Sequence, residues 1–367
     1  MKIALYISGM KYGGTERKVG NIANYLAADG YDVLMVNVRI EDGEYPLDSR
    51  IRRVICEPAK EELTSNRIHN FSLRFKKLRQ IWIEEKPDVI LSYIGKTNMM
   101  TILTSRGLKI PVAVGLAGTP TEEYYTPFLR ICAKLLFAHA DAVVLQTKQS
   151  ESFFPRRVLK KSIIMKNPMA PEFDVDRYEG ERDKTIVSVG RIDANKNHEL
   201  VINAFSKVAD AYPAYKLIIY GEGDLRESLI DKVNKMGMAE RILLPGRTQN
   251  VADTIKKAGV FVLTSNTEGS PNALIEAMML GLPVISTNCP CGGPAELITD
   301  GTNGLLISVG NEKMMQDCLQ KLLGNLHFAD QIGRAASETR AIYSPKIVMK
   351  RWEHFLETLA NTGKVIK

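Results

Sequence analysis

Residues 264–281 read TSNTEGSPNALIEAMMLG, and they indicate the fold of the second half of this chain. The apolar run 259–263 before them ends in polar residues, as a buried strand does at the edge of a sheet. Ser270 is predicted to cap the following helix, with Pro271 at the first helical position. Because residues 283–287 return as an apolar run, the pattern predicts a strand, a loop, a helix and a second parallel strand.

Two carboxylates flank the start of this predicted helix. In such units the loop lies at the carboxyl end of a strand, where open α/β sheets bind ligands and helix N-termini attract anions. Glu268 lies in the loop, and Glu276 lies about one and a half turns inside the helix. Either glutamate alone is more simply explained as a solvated residue. Their separation by eight positions around Gly-Ser-Pro-Asn makes the pair distinctive.

The segment resembles the E-x7-E signature of family-4 retaining glycosyltransferases, and the longer stretch EGSPNALIEAMMLGLPVIST follows that family's pattern closely. The resemblance implies an α/β fold of two Rossmann-like domains whose parallel sheets face each other across a cleft, known as GT-B. It covers nearly the whole chain but is strongest over residues 187–306. Donor binding is therefore better defined by the sequence than the identity of the acceptor.

Length and composition fit a soluble protein of two domains. A chain of 367 residues exceeds one ordinary core, and its 45% hydrophobic and 25% charged residues are typical of globular proteins. Lys134 and Pro283 interrupt the longest apolar stretches, so no membrane-spanning segment is expected. The start of the chain reads as a first strand and not as a secretion signal.

The charge and the cysteine content of the chain indicate less about its function than the sequence motif does. The 49 basic residues exceed the 42 acidic ones by 7, an excess that suits nucleic acid, an anionic membrane or phosphorylated substrates equally well. The five cysteines show neither zinc-ligand spacing nor a disulfide framework, so a reducing, cytoplasmic compartment is expected. With the family resemblance, the expected partners are a nucleotide-sugar and an acceptor, and no nucleic acid.

A glycine-rich loop follows the first predicted strand, residues 2–8. It reads GMKYGGTER and lacks both the G-x-G-x-x-G pattern and the Walker A lysine. Gly13 and Gly14 stand just before a helix, where they let the backbone approach a phosphate closely. GGTER resembles the family's GG-x-E loop, which lies over the donor pyrophosphate and near the acceptor. The resemblance therefore also assigns Glu16 to the acceptor side.

Two cations follow the first predicted strand of the second half, residues 185–189. Arg191 and Lys196 would lie at its carboxyl end, where they could neutralise a diphosphate without a metal. Basic loop residues are usually only solvated, but this spacing resembles the family's GR…K motif. Together with the helix start at 272–274, these cations would stabilise the charge that develops on a departing nucleoside diphosphate.

The resemblance assigns the remaining donor-side roles. Glu276 would accept hydrogen bonds from both ribose hydroxyl groups, Glu268 would contact the donor sugar, and the main chain around Arg247 would hold the uracil. Arg191, Lys196 and Glu268 are the predicted catalytic residues, and no metal or other cofactor is expected. The predicted donor-binding residues are Gly13, Gly14, Arg191, Lys196, Arg247, Thr248, Glu268, Gly269, Ser270, Pro271, Asn272, Ala273, Leu274 and Glu276.

The acceptor side is less well defined by the sequence. Many relatives carry a histidine after the fourth strand of the first domain, where this chain has GLAGTP at 115–120. Thr119, Glu122 or Glu123 serves there, or the enzyme works without such a residue. The resemblance implies a reaction that moves a hexose or N-acetylhexosamine from a UDP-sugar to a hydroxyl group of a polyprenyl-linked or surface oligosaccharide, with retention. A nucleotide-sugar epimerase and a non-catalytic nucleotide-sugar binding protein are the alternatives.

Two basic stretches with interleaved apolar residues, 59–86 and 124–137, suggest a membrane-facing surface. Most such stretches are helices with a solvated basic face. Attachment to an anionic membrane surface is the more specific alternative. The expected location is thus cytoplasmic, with peripheral attachment to the inner face of the plasma membrane as an option. The predicted organisation is a domain at 1–165, a linker at 166–183, a domain at 184–343 and a helix at 344–367. The resemblance implies that the first domain binds the acceptor, that the second binds the nucleotide-sugar, and that the last helix returns to the first domain.

Overall fold

The chain forms two compact units, which are described here from a computed structural model. Unit 1 comprises Met1–Pro168 together with the C-terminal segment that begins at Lys346, and unit 2 comprises Met169–Pro345. The structure describes residues 1–11 and 13–365. Tyr12 of the glycine-rich loop and the last two residues of the predicted C-terminal segment therefore lie outside the described residues.

The strands are parallel to their neighbours in both units. In chain order they are β1 (Lys2–Ile7), β2 (Asp32–Asn37), β3 (Arg52–Ile55), β4 (Val89–Tyr93), β5 (Val112–Gly115), β6 (Ala142–Leu145), β7 (Ser162–Ile164), β8 (Asp183–Val189), β9 (Lys216–Tyr220), β10 (Ile242–Gly246), β11 (Ala258–Leu263), β12 (Val284–Thr287) and β13 (Leu305–Ile307).

The helices lie between these strands and after the last of them. They are α1 (Gly14–Ala28), α2 (Arg67–Glu85), α3 (Gly95–Ser105), α4 (Pro120–Glu123), α5 (Pro127–Leu136), α6 (Arg156–Leu159), α7 (His198–Val208), α8 (Arg226–Lys235), α9 (Val251–Ile255), α10 (Asn272–Met279), α11 (Gly293–Leu297), α12 (Glu312–Gly324), α13 (Leu326–Ser337), α14 (Arg340–Tyr343) and α15 (Pro345–Thr362).

Unit 1 is a parallel sheet covered by helices on both faces. Across its described residues the strand order is β3-β2-β1-β4-β5-β6-β7. Helices α1 and α15 cover one face, and α2, α3 and α5 cover the other, so the central strands are buried on both sides. Trp352 of α15 is fully buried, and its Nε1–H donates to the Lys166 carbonyl oxygen at 2.9 Å. The C-terminal helix is therefore part of the core of unit 1.

Unit 2 repeats the arrangement with the strand order β10-β9-β8-β11-β12-β13 within the described ranges. Helices α7, α8, α12 and α13 pack on one face, and α9 and α10 pack on the other. In each unit the chain moves outward in one direction from its first strand and then continues on the other side of it. The switch points, between β1 and β4 and between β8 and β11, are where open α/β sheets bind ligands.

Most of the predicted linker, residues 166–183, packs onto unit 2. Phe173 is buried in its core, the Arg177 guanidinium pairs with Asp330, and Arg182 Nη2 donates to the Gly281 carbonyl oxygen at 2.7 Å. The structure divides the chain after Pro168 instead. A composition rich in proline and acids is compatible with a surface segment that is anchored by side-chain contacts, and these contacts are not visible in the sequence.

Candidate active site

The loops that follow β8 and β11 are joined at the switch point of unit 2. Asn195 Oδ1 accepts the Thr267 backbone N–H at 3.1 Å, and Asn195 Nδ2 donates to the Thr267 carbonyl oxygen at 3.2 Å. The Asn266 backbone N–H donates to the Asn195 carbonyl oxygen at 2.7 Å. One side chain thus holds the two loops in register, although 72 residues separate Asn195 from Thr267 in the chain.

Lys196 and Glu268 meet as a direct ion pair across these joined loops. The Lys196 ammonium contacts Glu268 Oε1, and both side chains are largely buried. Ser265 Oγ donates to the same carboxylate oxygen at 2.7 Å, so the glutamate is held from two sides. Two of the three predicted catalytic residues are therefore in contact. A charged pair at a sheet edge can exchange one partner for an anionic ligand.

Arg191, the third predicted catalytic residue, lies on the same loop but is more loosely held. Its side chain is 65% exposed, and Nη2 lies 3.2 Å from Asp193 Oδ2. An exposed ion pair of this kind contributes little to stability, because water and salt screen it. The guanidinium can therefore turn from Asp193 to a phosphate group at small energetic cost.

His198 contacts the backbone of the loop that carries Arg191, and it was not among the predicted site residues. Its ring nitrogens lie 3.3 Å from Ser188 Oγ and 3.2 Å from the Arg191 carbonyl oxygen. Burial lowers the pKa of His198 to about 4, so the ring is neutral near pH 7. Its position at the first residue of α7 was visible in the sequence, but its burial and its contact with Arg191 were not.

A glycine turn after β9 packs directly against the same loop. A Cβ atom at Gly223 would lie 2.3 Å from the Ile192 carbonyl oxygen, and one at Gly221 would lie 1.8 Å from the Gly190 carbonyl oxygen. Both distances are far below van der Waals contact. Glycine is required at these positions because the two backbones touch.

Helix α10 begins one residue later than the sequence predicted. Pro271 and not Ser270 is the capping residue, and the helix starts at Asn272, since the Pro271 carbonyl oxygen accepts the N–H groups of Leu274 and Ile275 at 3.0 and 3.1 Å. The predicted contact residues Gly269 to Leu274 thus form the turn that enters the helix and its first residues. This helix start lies four residues after Glu268 in the chain, and its N–H groups suit an anion.

The entry turn of α10 is braced by the segment after β12. The Glu268 N–H donates to the Pro290 carbonyl oxygen at 2.6 Å, and the Cys291 N–H donates to the Glu268 carbonyl oxygen at 3.0 Å. A Cβ atom at Gly293 would lie 1.9 Å from the Gly269 carbonyl oxygen. The backbone that carries Glu268 is therefore fixed by close packing on both sides.

Glu276 is the buried acid of this region. It lies one turn inside α10 and is 1% exposed, between Ile275 and Ala277, which are fully buried. Burial of a carboxylate is costly unless it is hydrogen-bonded or paired. Contacts of Glu276 within the protein offset part of this cost, and its role as the ribose-binding acid stays a prediction.

Arg247 and Thr248 follow β10, at the edge of the same sheet. Arg247 is exposed, and Thr248 Oγ1 lies 2.8 Å from Thr254 Oγ1 in the last turn of α9. Because the strand order runs β10-β9-β8, this loop lies two strands away from the loop that carries Lys196. The predicted base-binding and phosphate-binding residues thus lie along one edge of unit 2.

The remaining predicted residues belong to unit 1. Gly13 precedes α1 in an extended conformation, and a Cβ atom there would lie 2.2 Å from Glu16 Oε2, so the Glu16 side chain folds back over the glycine turn. Gly14 is the first residue of α1. The structure places these three residues after β1 of unit 1.

The acceptor-side candidates after β5 differ in exposure and in hydrogen bonding. Glu122 is exposed on α4, whereas Thr119 Oγ1 is buried and has no hydrogen-bond partner among the described residues. Glu123 accepts the backbone N–H groups of Gly95 and Gly118 at 3.2 and 2.8 Å. It therefore acts as a clamp between loops, a role that its sequence position did not reveal.

Two Rossmann-like units, the second with paired charges beside a helix N-terminus at its switch point, are the architecture of GT-B glycosyltransferases. Residues 171–339 match the family described as glycosyl transferases group 1, and residues 13–164 match the glycosyl transferase 4-like domain. The chain therefore belongs to the group 1 glycosyltransferases.

Curated relatives of similar length include two bacterial enzymes. One is a Campylobacter jejuni alpha-1,4-N-acetyl-D-galactosaminyltransferase, named for the acceptor GalNAc-alpha-(1->4)-GalNAc-alpha-(1->3)-diNAcBac-PP-undecaprenol. It is 26% identical over 365 residues, covering 98% of this chain and 99% of that protein. The amylovoran biosynthesis glycosyltransferase AmsD of Erwinia amylovora is 23% identical over 363 residues, covering 97% and 99%.

Solved structures share the fold across the full length. HepE of Anabaena in complex with UDP is 16% identical with a TM-score of 0.79, covering 98% of this chain and 100% of that chain. Sucrose-phosphate synthase of Thermosynechococcus elongatus is also 16% identical, with a TM-score of 0.82 and 98% coverage of both chains. At this identity the likeness describes the fold alone.

Proposed function

We propose that the protein transfers a hexose or N-acetylhexosamine from a UDP-sugar to a hydroxyl group of a lipid-linked oligosaccharide, with retention of configuration. The observation that carries the proposal is the Lys196–Glu268 ion pair beside the N-terminus of α10. A cation, a carboxylate and a helix start at one switch point suit a substrate that carries both a diphosphate and a sugar.

The proposed chemistry on the donor side depends on the negative charge that develops on the leaving group. As the acceptor oxygen bonds to the anomeric carbon, the bond from that carbon to the diphosphate breaks and leaves negative charge on the departing UDP, which takes the proton of the acceptor hydroxyl. In the proposal Lys196 moves from Glu268 to that phosphate, and Arg191 turns from Asp193 to join it. Each pre-organised donor of this kind stabilises a transition state by about 3 kcal/mol. The released Glu268 carboxylate is then available to the hydroxyl groups of the donor sugar.

These charges can stabilise the leaving group without a metal ion in the proposed reaction. Two cations and the N-terminus of α10 provide the charge stabilisation that Mg²⁺ gives in many other nucleotide-dependent enzymes. A requirement for a divalent cation in transfer, tested with EDTA, would contradict this part of the proposal.

The acceptor is proposed from the relatives. The Campylobacter jejuni relative is named for an undecaprenol diphosphate-linked acceptor and for an alpha-1,4 product. Since UDP-hexoses carry the sugar in α linkage, an α product from this chain would correspond to retention. The predicted acceptor-side residues Glu16, Thr119 and Glu122 lie in unit 1, at the edge formed by the carboxyl ends of its strands.

A lipid-linked acceptor requires contact with a membrane, and α5 offers a suitable surface. Phe128, Ile131 and Leu135 project from one side of this helix and are more than half exposed, with Arg130 and Lys134 beside them. In α2, Ile68 and Phe71 are also exposed. No described helix is long and apolar enough to cross a bilayer. We propose that α5 rests on an anionic membrane surface, with its apolar side inserted and its cations near the headgroups.

The decisive experiment measures transfer from a panel of UDP-, GDP- and ADP-sugars to undecaprenyl diphosphate-linked acceptors. The variants are Lys196→Met and Glu268→Gln, and the matched control is Lys232→Met, which breaks an exposed lysine–glutamate pair with Glu199 in the same unit. We expect transfer with a UDP-sugar, lost by a hundredfold or more in both site variants and unchanged in the control.

The alternatives give different results in the same assay. Conversion of the donor into its epimer without acceptor would identify a nucleotide-sugar epimerase. Binding of a UDP-sugar without transfer or slow hydrolysis would identify a non-catalytic binding protein. Equal activity of Lys196→Met and Lys232→Met would refute the role proposed for the ion pair.

A further inference from the structure

Unit 1 contains a buried lysine that the donor chemistry does not use. Lys18 lies on α1 and is 1% exposed, and its ammonium group lies 3.7 Å from the centre of the Tyr93 ring. Lysine is almost never buried to this degree unless its charge is compensated. The negative face of an aromatic ring attracts a cation but compensates only part of the lost hydration.

The compensating negative charge comes from two carboxylates. Glu16 lies on the same helix as Lys18, and Glu123 lies at the end of α4, and both attract the ammonium group. Burial nevertheless lowers the pKa of Lys18 to about 7, against this attraction. Burial also raises the pKa of Glu123, which Lys18 and the surrounding backbone N–H groups oppose. The protonation states of the two side chains are therefore interdependent.

Glu123 uses its carboxylate to join two loops. Its Oε2 accepts the N–H of Gly95, the first residue of α3, at 3.2 Å. Its Oε1 accepts the N–H groups of Ala117 and Gly118, in the loop after β5, at 2.5 and 2.8 Å. If Glu123 lost its charge, three backbone N–H groups would lose their strongest acceptor.

The cluster lies at the switch point of unit 1. Strands β1, β4 and β5 are neighbours in the sheet, and α1, α3 and α4 follow their carboxyl ends. The Tyr93 ring lies against Gly115, where a Cβ atom would be 2.1 Å from the ring. The side-chain oxygens of Tyr93 and Thr119 are buried without a hydrogen-bond partner among the described residues. A ligand oxygen would give these groups the partner that the described part of the protein does not provide.

We propose that Lys18, packed on the Tyr93 ring, and Glu123, bonded to both loops, are positioning residues whose opposite charges hold the loops after β4 and β5 in the conformation that receives the acceptor. This inference rests on the proposed function in one respect, namely that the acceptor binds to unit 1. The clamp itself depends only on the contacts within unit 1. The two parts can therefore be tested separately.

The first test follows amide hydrogen exchange in the full chain without substrate. In Lys18→Met and Glu123→Gln we expect exchange at Gly95, Ala117 and Gly118 to accelerate tenfold or more. The matched control is Lys161→Met, since the Lys161 ammonium is also partly buried and donates to the carbonyl oxygens of Ala138 and Ala140 away from this cluster. Unchanged exchange at the three amides in both variants would overturn the proposal.

The second test separates positioning from general damage through kinetics. Lys18→Met should raise the KM for the acceptor tenfold or more while leaving the KM for the donor and the slow release of UDP without acceptor unchanged. In the wild type the acceptor KM should rise as the pH increases through 7, because Lys18 then loses its proton. That inflection should be absent in Lys18→Met and present in Lys161→Met.

Each outcome has a defined meaning. If Lys18→Met alters donor and acceptor KM equally, or keeps the inflection near pH 7, the positioning role is wrong. If Lys18→Met does not fold, Glu123→Gln provides the same kinetic comparison at the other end of the pair. If the wild type transfers to no acceptor, the proposed function is wrong, and the exchange experiment still decides whether the clamp exists.

Discussion

Replacement of Glu276 by glutamine should weaken UDP binding without lowering the stability of the protein. The change preserves the shape of the side chain and removes its charge. In the proposed complex the carboxylate accepts hydrogen bonds from two ribose hydroxyl groups. A hydrogen bond to a charged acceptor contributes about 1 kcal/mol more than one to a neutral acceptor, so two such bonds lose about 2 kcal/mol. This loss corresponds to an increase of about 30-fold in the Kd for UDP.

The same substitution should leave the free energy of unfolding nearly unchanged. Glu276 is 1% exposed, so the desolvation of its carboxylate opposes folding, while its contacts within the protein offset that cost. An amide of equal size reduces both effects. Weaker binding combined with nearly equal stability distinguishes a ligand-binding acid from a structural one.

Calorimetric titration with UDP and thermal unfolding without ligand measure the two effects. Glu227→Gln is the matched control, since it makes the same chemical change at an exposed position of α8 in the same unit. A Kd for UDP within twofold of the wild type would refute the ribose contact. A fall in Tm of several degrees in Glu276→Gln alone would show that the carboxylate stabilises the fold instead.

Three further predictions concern other parts of the molecule. Gly293→Ala should lower the Tm and abolish UDP binding, because its Cβ atom would lie 1.9 Å from the Gly269 carbonyl oxygen; unaltered titration and melting curves would contradict this. Phe128→Ser together with Ile131→Ser should prevent co-sedimentation with anionic vesicles and leave transfer to a short soluble acceptor unchanged; persistent co-sedimentation would exclude α5 as the membrane surface. Folding lowers the pKa of Lys18 from 10.5 to about 7, so the unfolded chain binds more protons between these values. Wild-type stability relative to Lys18→Met should therefore rise with pH in this window, by about 1.4 kcal/mol per unit, and parallel pH profiles from chemical denaturation would disprove it.

The sequence predicted the buried strands well, because parallel strands covered on both faces are continuous apolar runs. The predicted strands 259–263 and 283–287 differ from β11 and β12 by one residue at the start and end at the same residues. Strands β3, β7 and β13 were not predicted, since they are short and lie at or near the sheet edges. Helix α3 was also missed, because buried Thr101, Thr104 and Ser105 give it no apolar stripe, and their hydroxyl groups donate to carbonyl oxygens of the preceding turn.

Some residues of the candidate site were likewise predicted from the sequence, and others were missed. The sequence pattern led to Lys196 and Glu268, which the structure brings into contact. It did not lead to Asn195, His198 or Lys18, whose importance comes from what they contact. Lys18 stands four residues before the buried Ile22, so helical spacing placed it on the inner side of α1. That spacing was the available signal, but a lysine in the sequence KVGNI is more simply explained as a residue whose charge reaches solvent.

Glu276 and Lys18 are ionisable side chains buried in separate units, and the desolvation of each charge opposes folding, although contacts within the protein offset part of that cost. In the proposed complex, ribose hydroxyl groups that hydrogen-bond to Glu276 would offset a further part of it in unit 2. In unit 1, Lys18 would maintain the charge on Glu123, which holds two loops by their backbone N–H groups. We therefore expect removal of either charge to impair substrate binding more than folding, because a neutral side chain of similar size fits each space but cannot supply the charge.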